Sequence, residues 1–195
     1  MNLALFDFDG TITFEDSFAP FLYFAAPGRV ALGTALLSPL LAAYRLGCVP
    51  ATTVRAACAF VGFRGRRQDE LRELGARYAK TLSQIVRPEA LEKIRWHQAR
   101  GDTVVVVSAS LHPYLSSWCS ELGVDLICTE LEVKGGILTG RYCGSDCTGR
   151  EKARRVQARY ELSRYSIIYA YGDTPEDAEL LGLAHRRYFC WREVS

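Results

Sequence analysis

The chain has no Cys-x-x-Cys pair, no clustered histidines, no apolar run long enough to cross a bilayer and no strong excess of charge. Each absence excludes a class. The seven cysteines are scattered, with Cys143 and Cys147 nearest to each other, so they read as reduced thiols of a cytoplasmic protein rather than a disulfide framework. His97, His112 and His185 lie far apart and make no zinc spacing, so each reads as an ordinary surface or packed residue. A net charge of +2 and a pI near 8.2 give no field that would select nucleic acid as a partner. No basic leader precedes Asp7, which predicts that the chain carries no signal peptide. Val30 to Tyr44 is uncharged over fifteen residues, but Pro39 breaks it and Arg45 ends it, short of the roughly twenty residues that span a membrane. No internal repeat or low-complexity segment is found.

What is present is a composition that is 49% hydrophobic over 195 residues, enough to bury one domain core and a smaller insertion. The chain opens on Leu3-Ala4-Leu5-Phe6-Asp7-Phe8-Asp9-Gly10-Thr11, an apolar stretch of the kind that forms a buried parallel strand, ended in a loop by Gly10. Asp7 and Asp9 therefore belong at its carboxyl end, where open α/β sheets bind ligands. A period of two puts both acids on one side of the chain, and carboxylates that close repel unless a proton or cation lies between them. A hard divalent cation, with Mg²⁺ expected, satisfies both.

Charge then divides the next ninety residues. From Ser17 to Phe63 only Arg29, Arg45 and Arg55 are charged, whereas Arg64 to Arg100 holds fifteen charges, ten of them basic. Leu71, Leu74, Tyr78, Leu82 and Ile85 recur at helical spacing, and Pro88 restarts a helix carrying Leu91 and Ile94. Roughly eighty residues of helix thus separate the first strand from the second. That second strand, Thr103 to Val107, is β-branched and ends at a polar loop, Ser108-Ala109-Ser110. An apolar stripe at Leu115, Trp118, Cys119 and Leu122 predicts a helix, Leu126 to Cys128 a third strand, and Lys134-Gly135-Gly136 a turn between two strands. Thr148 and Glu151 have capping-box spacing and open a helix bearing Lys152. Ser166 to Tyr171 is the fourth core strand, delivering Gly172-Asp173, after which Thr174, Pro175 and Asp177 start another helix. Arg187 to Trp191 is expected to be a short last strand. Alternating strands and helices predict a doubly wound parallel α/β sheet.

Asp7-Phe8-Asp9-Gly10-Thr11, Ser108, Lys152 and Gly172-Asp173-Thr174-Pro175-Glu176-Asp177 together resemble the four motifs of the haloacid dehalogenase superfamily of phosphohydrolases. The long helical stretch after the first motif resembles the phosphoserine-phosphatase-like branch. The resemblance implies a Rossmann-like core formed by residues 1–14 and 87–195 with an inserted small all-helical cap, residues 15–86. It implies a Mg²⁺-dependent phosphomonoester hydrolase in which Asp7 is the nucleophile and Asp9 the general acid and base. Asp7, the Asp9 backbone carbonyl and Asp173 would hold the metal, with Asp177 in support, while Thr11, Ser108, Ala109 and Lys152 would serve the phosphoryl group. Thr11 would also hold the first loop and a nearby carboxylate. Glu15 or Asp16 occupies the neighbourhood where phosphoserine phosphatases contact the substrate amine, or else caps the first helix; Arg55 is a candidate for a substrate carboxylate or phosphate.

Ser108-Ala109-Ser110 stands where those enzymes carry Ser-Gly-Gly, and the expected cap is far more apolar, so serine phosphate is one substrate among several. A phosphomutase shares the acids. A receiver switch needs its phosphoacceptor Asp at the end of a middle strand, where this chain has Ser108, and a dehalogenase needs no acid at position 9. The uncharged Val30 to Tyr44 run is expected to be buried against the Leu71 to Ile85 helix, to dimerise, or to lie on a membrane surface where Arg64, Arg66 and Arg67 meet anionic head groups and a lipid phosphate is admitted.

Overall fold

In the computed structural model, which describes residues 1–194, the chain begins with β1 (Leu3–Phe6), fully buried at the middle of a six-stranded sheet. Helices α1 (Phe18–Ala25), α2 (Pro27–Leu36), α3 (Ser38–Arg45), α4 (Ala51–Phe63), α5 (Gln68–Ala79) and α6 (Pro88–Ala99) precede β2 (Thr103–Leu111). There follow α7 (His112–Leu122), β3 (Asp125–Thr129), the hairpin β4 (Leu131–Lys134) and β5 (Ile137–Tyr142), and α8 (Arg150–Arg159). β6 (Ile168–Gly172), α9 (Ala178–Leu181), β7 (Arg186–Phe189) and β8 (Arg192–Val194) complete the chain. The sheet runs β3-β2-β1-β6-β7-β8, parallel except for the β7–β8 pair. It is the doubly wound sheet that the strand and helix alternation predicts.

Period-two alternation sorts the side chains of the central strands between two layers. Ala4, Phe6, Val104, Val106, Tyr169 and Tyr171 pack to one side with Leu115 and Trp118 of α7. Leu3, Leu5, Val105, Val107, Ile168 and Ala170 pack to the other with Val156 of α8 and Leu180 of α9. Aromatic stacking continues across the strands, Phe6 on Tyr171 at 4.2 Å between ring centres and Tyr171 on Tyr188 at 4.7 Å. Strands buried on both faces explain why β1 and β2 read as continuous apolar runs.

The inserted helices leave and rejoin the sheet at one neck. Thr13 and Val86 form an antiparallel bridge, flanked by Phe14 N–H to the Ile85 carbonyl (2.8 Å) and Arg87 N–H to the Ile12 carbonyl (2.9 Å). Beyond that neck the insert does not keep a separate core: Phe21, Phe63, Leu71 and Tyr78 belong to the same cluster as Phe6, Phe8 and Tyr114. Gly75 of α5 lies so close to α7 that a Cβ would fall 2.1 Å from the Pro113 carbonyl oxygen.

Four local expectations change. The strand β2 continues through Ser108-Ala109-Ser110 to Leu111 with a register shift, so the expected loop is an irregular strand end. Thr148 and Glu151 form no capping box; Gly149 caps α8, while Glu151 pairs with Arg154 and Arg155 one turn on. The last strand is a hairpin, turned by Cys190 and Trp191 at positive φ. Lastly, the Val30 to Tyr44 run is split by Pro39 into α2 and α3, which pack on α4 rather than on α5, and much of it is exposed.

His97 is fully buried behind the sheet, its Nδ1 2.8 Å from Asp102 and its Nε2 3.0 Å from the Tyr171 hydroxyl. Burial lowers its pKa from the ordinary 6.5, although Asp102 opposes this. A histidine depressed in the folded state favours folding above its ordinary pKa and disfavours it as acid charges the unfolded chain. His97→Gln should destabilise by about 1–3 kcal/mol at neutral pH. The gap from wild type should narrow between about pH 7 and pH 5 in urea titrations, and a constant gap would contradict the buried neutral ring.

Candidate active site

The carboxyl ends of β1, β2 and β6 converge on a cleft of about 310 Å³ whose wall includes Asp7, Asp9, Ser108, Ala109, Lys152 and Asp173. Asp7 continues β1 on the α8 side of the sheet, and Lys152 in the first turn of α8 reaches it there. The Lys152 ammonium donates to Asp7 Oδ1 at 2.5 Å and to Asp177 Oδ1 at 2.6 Å, and all three groups are buried. Burial opposes the charge on Lys152, but the two carboxylates outweigh it and hold its pKa above the ordinary value. Burial raises Asp7 to about 8, against the pull of Lys152. Its environment thus calls for more positive charge than one lysine supplies.

Asp177 is tied from its other side. Its Oδ2 accepts from Asp173 N–H, Thr174 N–H and the Thr174 hydroxyl, at 3.1, 3.1 and 3.2 Å, as part of a true capping box. Gly172 permits this, since a Cβ there would sit 2.6 Å from Asp177 Cβ. Capping and site support are here one arrangement rather than alternatives. Thr11 lies behind the wall: its hydroxyl donates to Asp173 Oδ1 at 2.9 Å, so it orients a carboxylate and does not line the cleft. Gly10 passes so near Asp173 that a Cβ would lie 2.1 Å from its Oδ2.

Carboxylate oxygens of Asp7, Asp173 and Asp177 lie within 4.8 Å of one another. Three carboxylates and one ammonium leave two net negative charges, and all the donors are hard oxygens. That donor set fits a divalent cation such as Mg²⁺.

Asp9 is handled differently. Ser17 N–H donates to its Oδ1 at 2.7 Å and the Ser110 hydroxyl to its Oδ2 at 2.5 Å. Ser17 is itself held by the Tyr114 hydroxyl at 2.9 Å, and its carbonyl accepts from Tyr78 at 3.1 Å. Burial and the nearby Asp16 raise Asp9 to about 6, while Ser110 and Ser17 restrain the rise. Ser17, Tyr78, Ser110 and Tyr114 were not foreseen from the sequence; Ser110 stood in a quoted segment, but as a departure from a pattern rather than a partner.

The remaining candidates lie on the outer wall. Asp16 Oδ2 accepts from Ala19 N–H at 2.9 Å and so caps α1, while Glu15 is exposed at the cleft and, among the described residues, only its carbonyl is bonded, to Thr13. Arg55, carried from the insert by α4, donates through Nε to Asp146 at 2.9 Å and approaches Glu176 at 3.5 Å. Its Nη2 has no hydrogen bond among the described residues. Ser108 accepts from Ser110 N–H at 3.0 Å, which fixes the hydroxyl at the strand end.

Such a sheet, with paired acids and a serine at its strand ends, a lysine in the first turn of the helix beside them and an acidic cluster fit for a cation, defines a doubly wound α/β protein with a polar site at the carboxyl edge of its sheet. Residues 4–182 match the family of haloacid dehalogenase-like hydrolases, and the chain belongs to it. It is similar to Protein CicA of Caulobacter vibrioides, 31% identical over 192 residues that cover 95% of this chain and 84% of that protein. A phosphoserine phosphatase of Archaeoglobus fulgidus is 32% identical over 133 residues, 64% of this chain and 39% of that one. The fold is shared with a protein of unknown function from Bordetella pertussis (TM-score 0.78, 24% identity, 96% and 89% of the two chains). A phosphoserine phosphatase solved as a phospho-aspartyl intermediate analogue shares it too (TM-score 0.64, 18% identity, 96% and 85% covered).

Because a hydrogen bond to the ionised form lowers a carboxyl pKa, Ser110→Ala should raise the Asp9 titration midpoint above about 6. Carboxyl carbon-13 NMR of the metal-free protein reads this directly. An unchanged midpoint would detach Ser110 from Asp9.

Proposed function

We propose that the protein is a Mg²⁺-dependent phosphomonoester hydrolase that works through a phosphoryl group on Asp7, with a small or lipid-linked phosphate ester as substrate. The observation that carries this reading is the unequal treatment of two acids two residues apart. Asp7 lies against a lysine and the acidic cluster, and Asp9 is held by Ser17 and Ser110 with a pKa of about 6. A nucleophile must stay anionic, which Asp7, raised to about 8 by burial, requires a cation beside Lys152 to achieve, whereas an acid and base works best near the operating pH.

A Mg²⁺ ion bound by Asp7, Asp173 and the Asp9 carbonyl, with Asp177 in support, would draw charge from the phosphate oxygens and relieve their repulsion with Asp7. An Asp7 carboxylate oxygen attacks phosphorus in line, the ester P–O bond breaks, and protonated Asp9 gives its proton to the leaving alkoxide. Asp9, now ionised, takes a proton from water as that water attacks the phosphoryl group, which leaves as phosphate and frees Asp7. Lys152 and the Ser108 hydroxyl stabilise the equatorial oxygens, with the backbone at Ala109 beside them. Residues 15–86 serve as the cap over a core of residues 1–14 and 87–195, and Arg55 and Glu15 are its contacts with the rest of the substrate.

The phosphoserine phosphatases among the structural neighbours support a phosphatase, including one solved with substrate bound. Serine phosphate itself is less favoured, because Ser110 binds Asp9 at a position where those enzymes carry glycine. Transfer to a second hydroxyl, as in a mutase, differs only in the acceptor that replaces water. The free, buried thiols of Cys119, Cys128 and Cys147 support a cytoplasmic location.

Asp7→Asn should abolish turnover of phosphomonoesters while the fold, read by circular dichroism, stays intact. Asp9→Asn should slow alkyl phosphates by about 10²–10⁴-fold, yet form the phosphoenzyme from p-nitrophenyl phosphate with much less loss, since that leaving group needs no proton. Chelation should stop both reactions and Mg²⁺ restore them. Full activity of Asp7→Asn would overturn the mechanism.

A further inference from the structure

The inserted helices present an outer face that the active site does not use. On α2, Leu32 and Leu36 are 73% and 70% exposed, and Leu46 just past α3 is 79% exposed. The helix α3, Ser-Pro-Leu-Leu-Ala-Ala-Tyr-Arg, has no buried residue at all. These helices touch the protein along one side only: Gly33 meets Val61 of α4, where a Cβ would come within 2.8 Å, and Leu37 and Leu41 flank a small apolar crevice with Cys58. On α2 the spacing i, i+3, i+7 puts Arg29, Leu32 and Leu36 on one stripe beside that contact.

Charge identifies what covers the face. From Ser17 to Gln68 there is no aspartate or glutamate, but there are six arginines. Arg55 is spent on Asp146 and Glu176, and Arg67 on Asp69. Arg29, Arg45, Arg64 and Arg66 have no carboxylate partner among the described residues. Arg29 donates to the Arg64 carbonyl (2.7 Å) and Arg66 to the Ala25 carbonyl, so two of these cations gather where α1 meets α2, while the Arg64 guanidinium lies over the Phe60 ring at the end of α4 and Arg45 follows Tyr44 at the far end of α3. The apolar face thus lies between two positive ends. A second copy of this chain would bring arginine against arginine across an isologous contact, which opposes self-association. A bilayer with anionic head groups matches both the apolar stripe and the charge.

We propose that the outer face of α2 and α3 is a docking surface for an anionic membrane, on which the protein sits peripherally. The two helices lie in the interface plane: at ten and eight residues neither spans a bilayer, and no described helix is long and apolar enough to do so. Leu32, Leu36 and Leu46 enter the head-group and acyl boundary, Tyr44 stays at its polar edge, and Arg29, Arg45, Arg64 and Arg66 meet the phosphates. Docking does not depend on the hydrolase reading, because none of these residues belongs to the cleft.

Vesicle flotation with phosphatidylcholine alone and phosphatidylcholine mixed with phosphatidylglycerol tests the surface. Wild type should float with the anionic vesicles and lose that binding at high salt, while remaining largely free of the neutral ones. Arg45→Gln should weaken binding about fivefold and Leu32→Glu/Leu36→Glu by more than tenfold. Both variants should keep the wild-type melting temperature, since the changed positions are exposed. Asp7→Asn should bind as wild type does, which separates docking from catalysis. Wild type that ignores anionic vesicles, variants that bind equally well, or a dimer broken by Leu32→Glu/Leu36→Glu without vesicle binding would each overturn the proposal.

Discussion

The Lys152 ammonium held between Asp7 and Asp177 is the interaction on which the rest of the site depends. Two buried carboxylates that close would repel by several kcal/mol without a cation, and removing one member of a buried ionic group costs about 3–5 kcal/mol. Each member comes from a different part of the fold: Asp7 from the end of β1, Lys152 from the first turn of α8, and Asp177 from the capping turn after β6. The triad therefore registers two strand ends and a helix against one another. Because three acids face one lysine, the registration also leaves a deficit of positive charge in the place where a cation and a phosphoryl group would come together.

Asp7 and Asp9 show how backbone position gives identical side chains different surroundings. The strand direction sends Asp7 toward α8 and its lysine. Asp9, two residues on and past the strand, meets Ser17 at the start of α1 and Ser110 at the irregular end of β2. One is surrounded by fixed charge and the other by neutral donors. Asp9 is thereby connected to the insert through Ser17, Tyr78 and Tyr114, so the helices that cover the site also fix the orientation of one of its acids.

The parts of this arrangement legible in the sequence are those encoded by local pattern. Two-faced burial of β1 and β2 gives continuous apolar runs, and a loop glycine marks where the acids must emerge. Lys152 was visible only in concert with the other motifs, and the local reading of its helix start was mistaken: Glu151 is drawn off by Arg154 and Arg155 at i+3 and i+4, which leaves Gly149 to begin the helix. The Ser17 network was invisible because its members are separated by 61 to 97 positions, and nothing in a serine or tyrosine taken alone announces such a partner. Arg55 was foreseen as a site residue, but its engagement with Asp146 joins segments 91 positions apart. The uncharged run misled in another way. Apolar composition predicts contact with something apolar, and whether that something belongs to the same chain is decided only by the fold.

The continuity of the hydrophobic cluster also constrains how the inserted helices move. Rotating the whole insert away from the sheet would separate α5 from α7 and expose Leu71, Tyr78 and Tyr114, at a cost of about 5 kcal/mol or more. It would also break the hydrogen bonds by which Ser17 holds Asp9. The α2–α3 pair is under less restraint, because its main contacts are with its neighbours α1 and α4 and it contributes little to the cluster. Displacement within the insert is therefore cheapest at α2 and α3, and α4 joins that pair to Arg55. The charge pairs that Arg55 forms with Asp146 and Glu176 therefore fasten the insert to the core across the cleft.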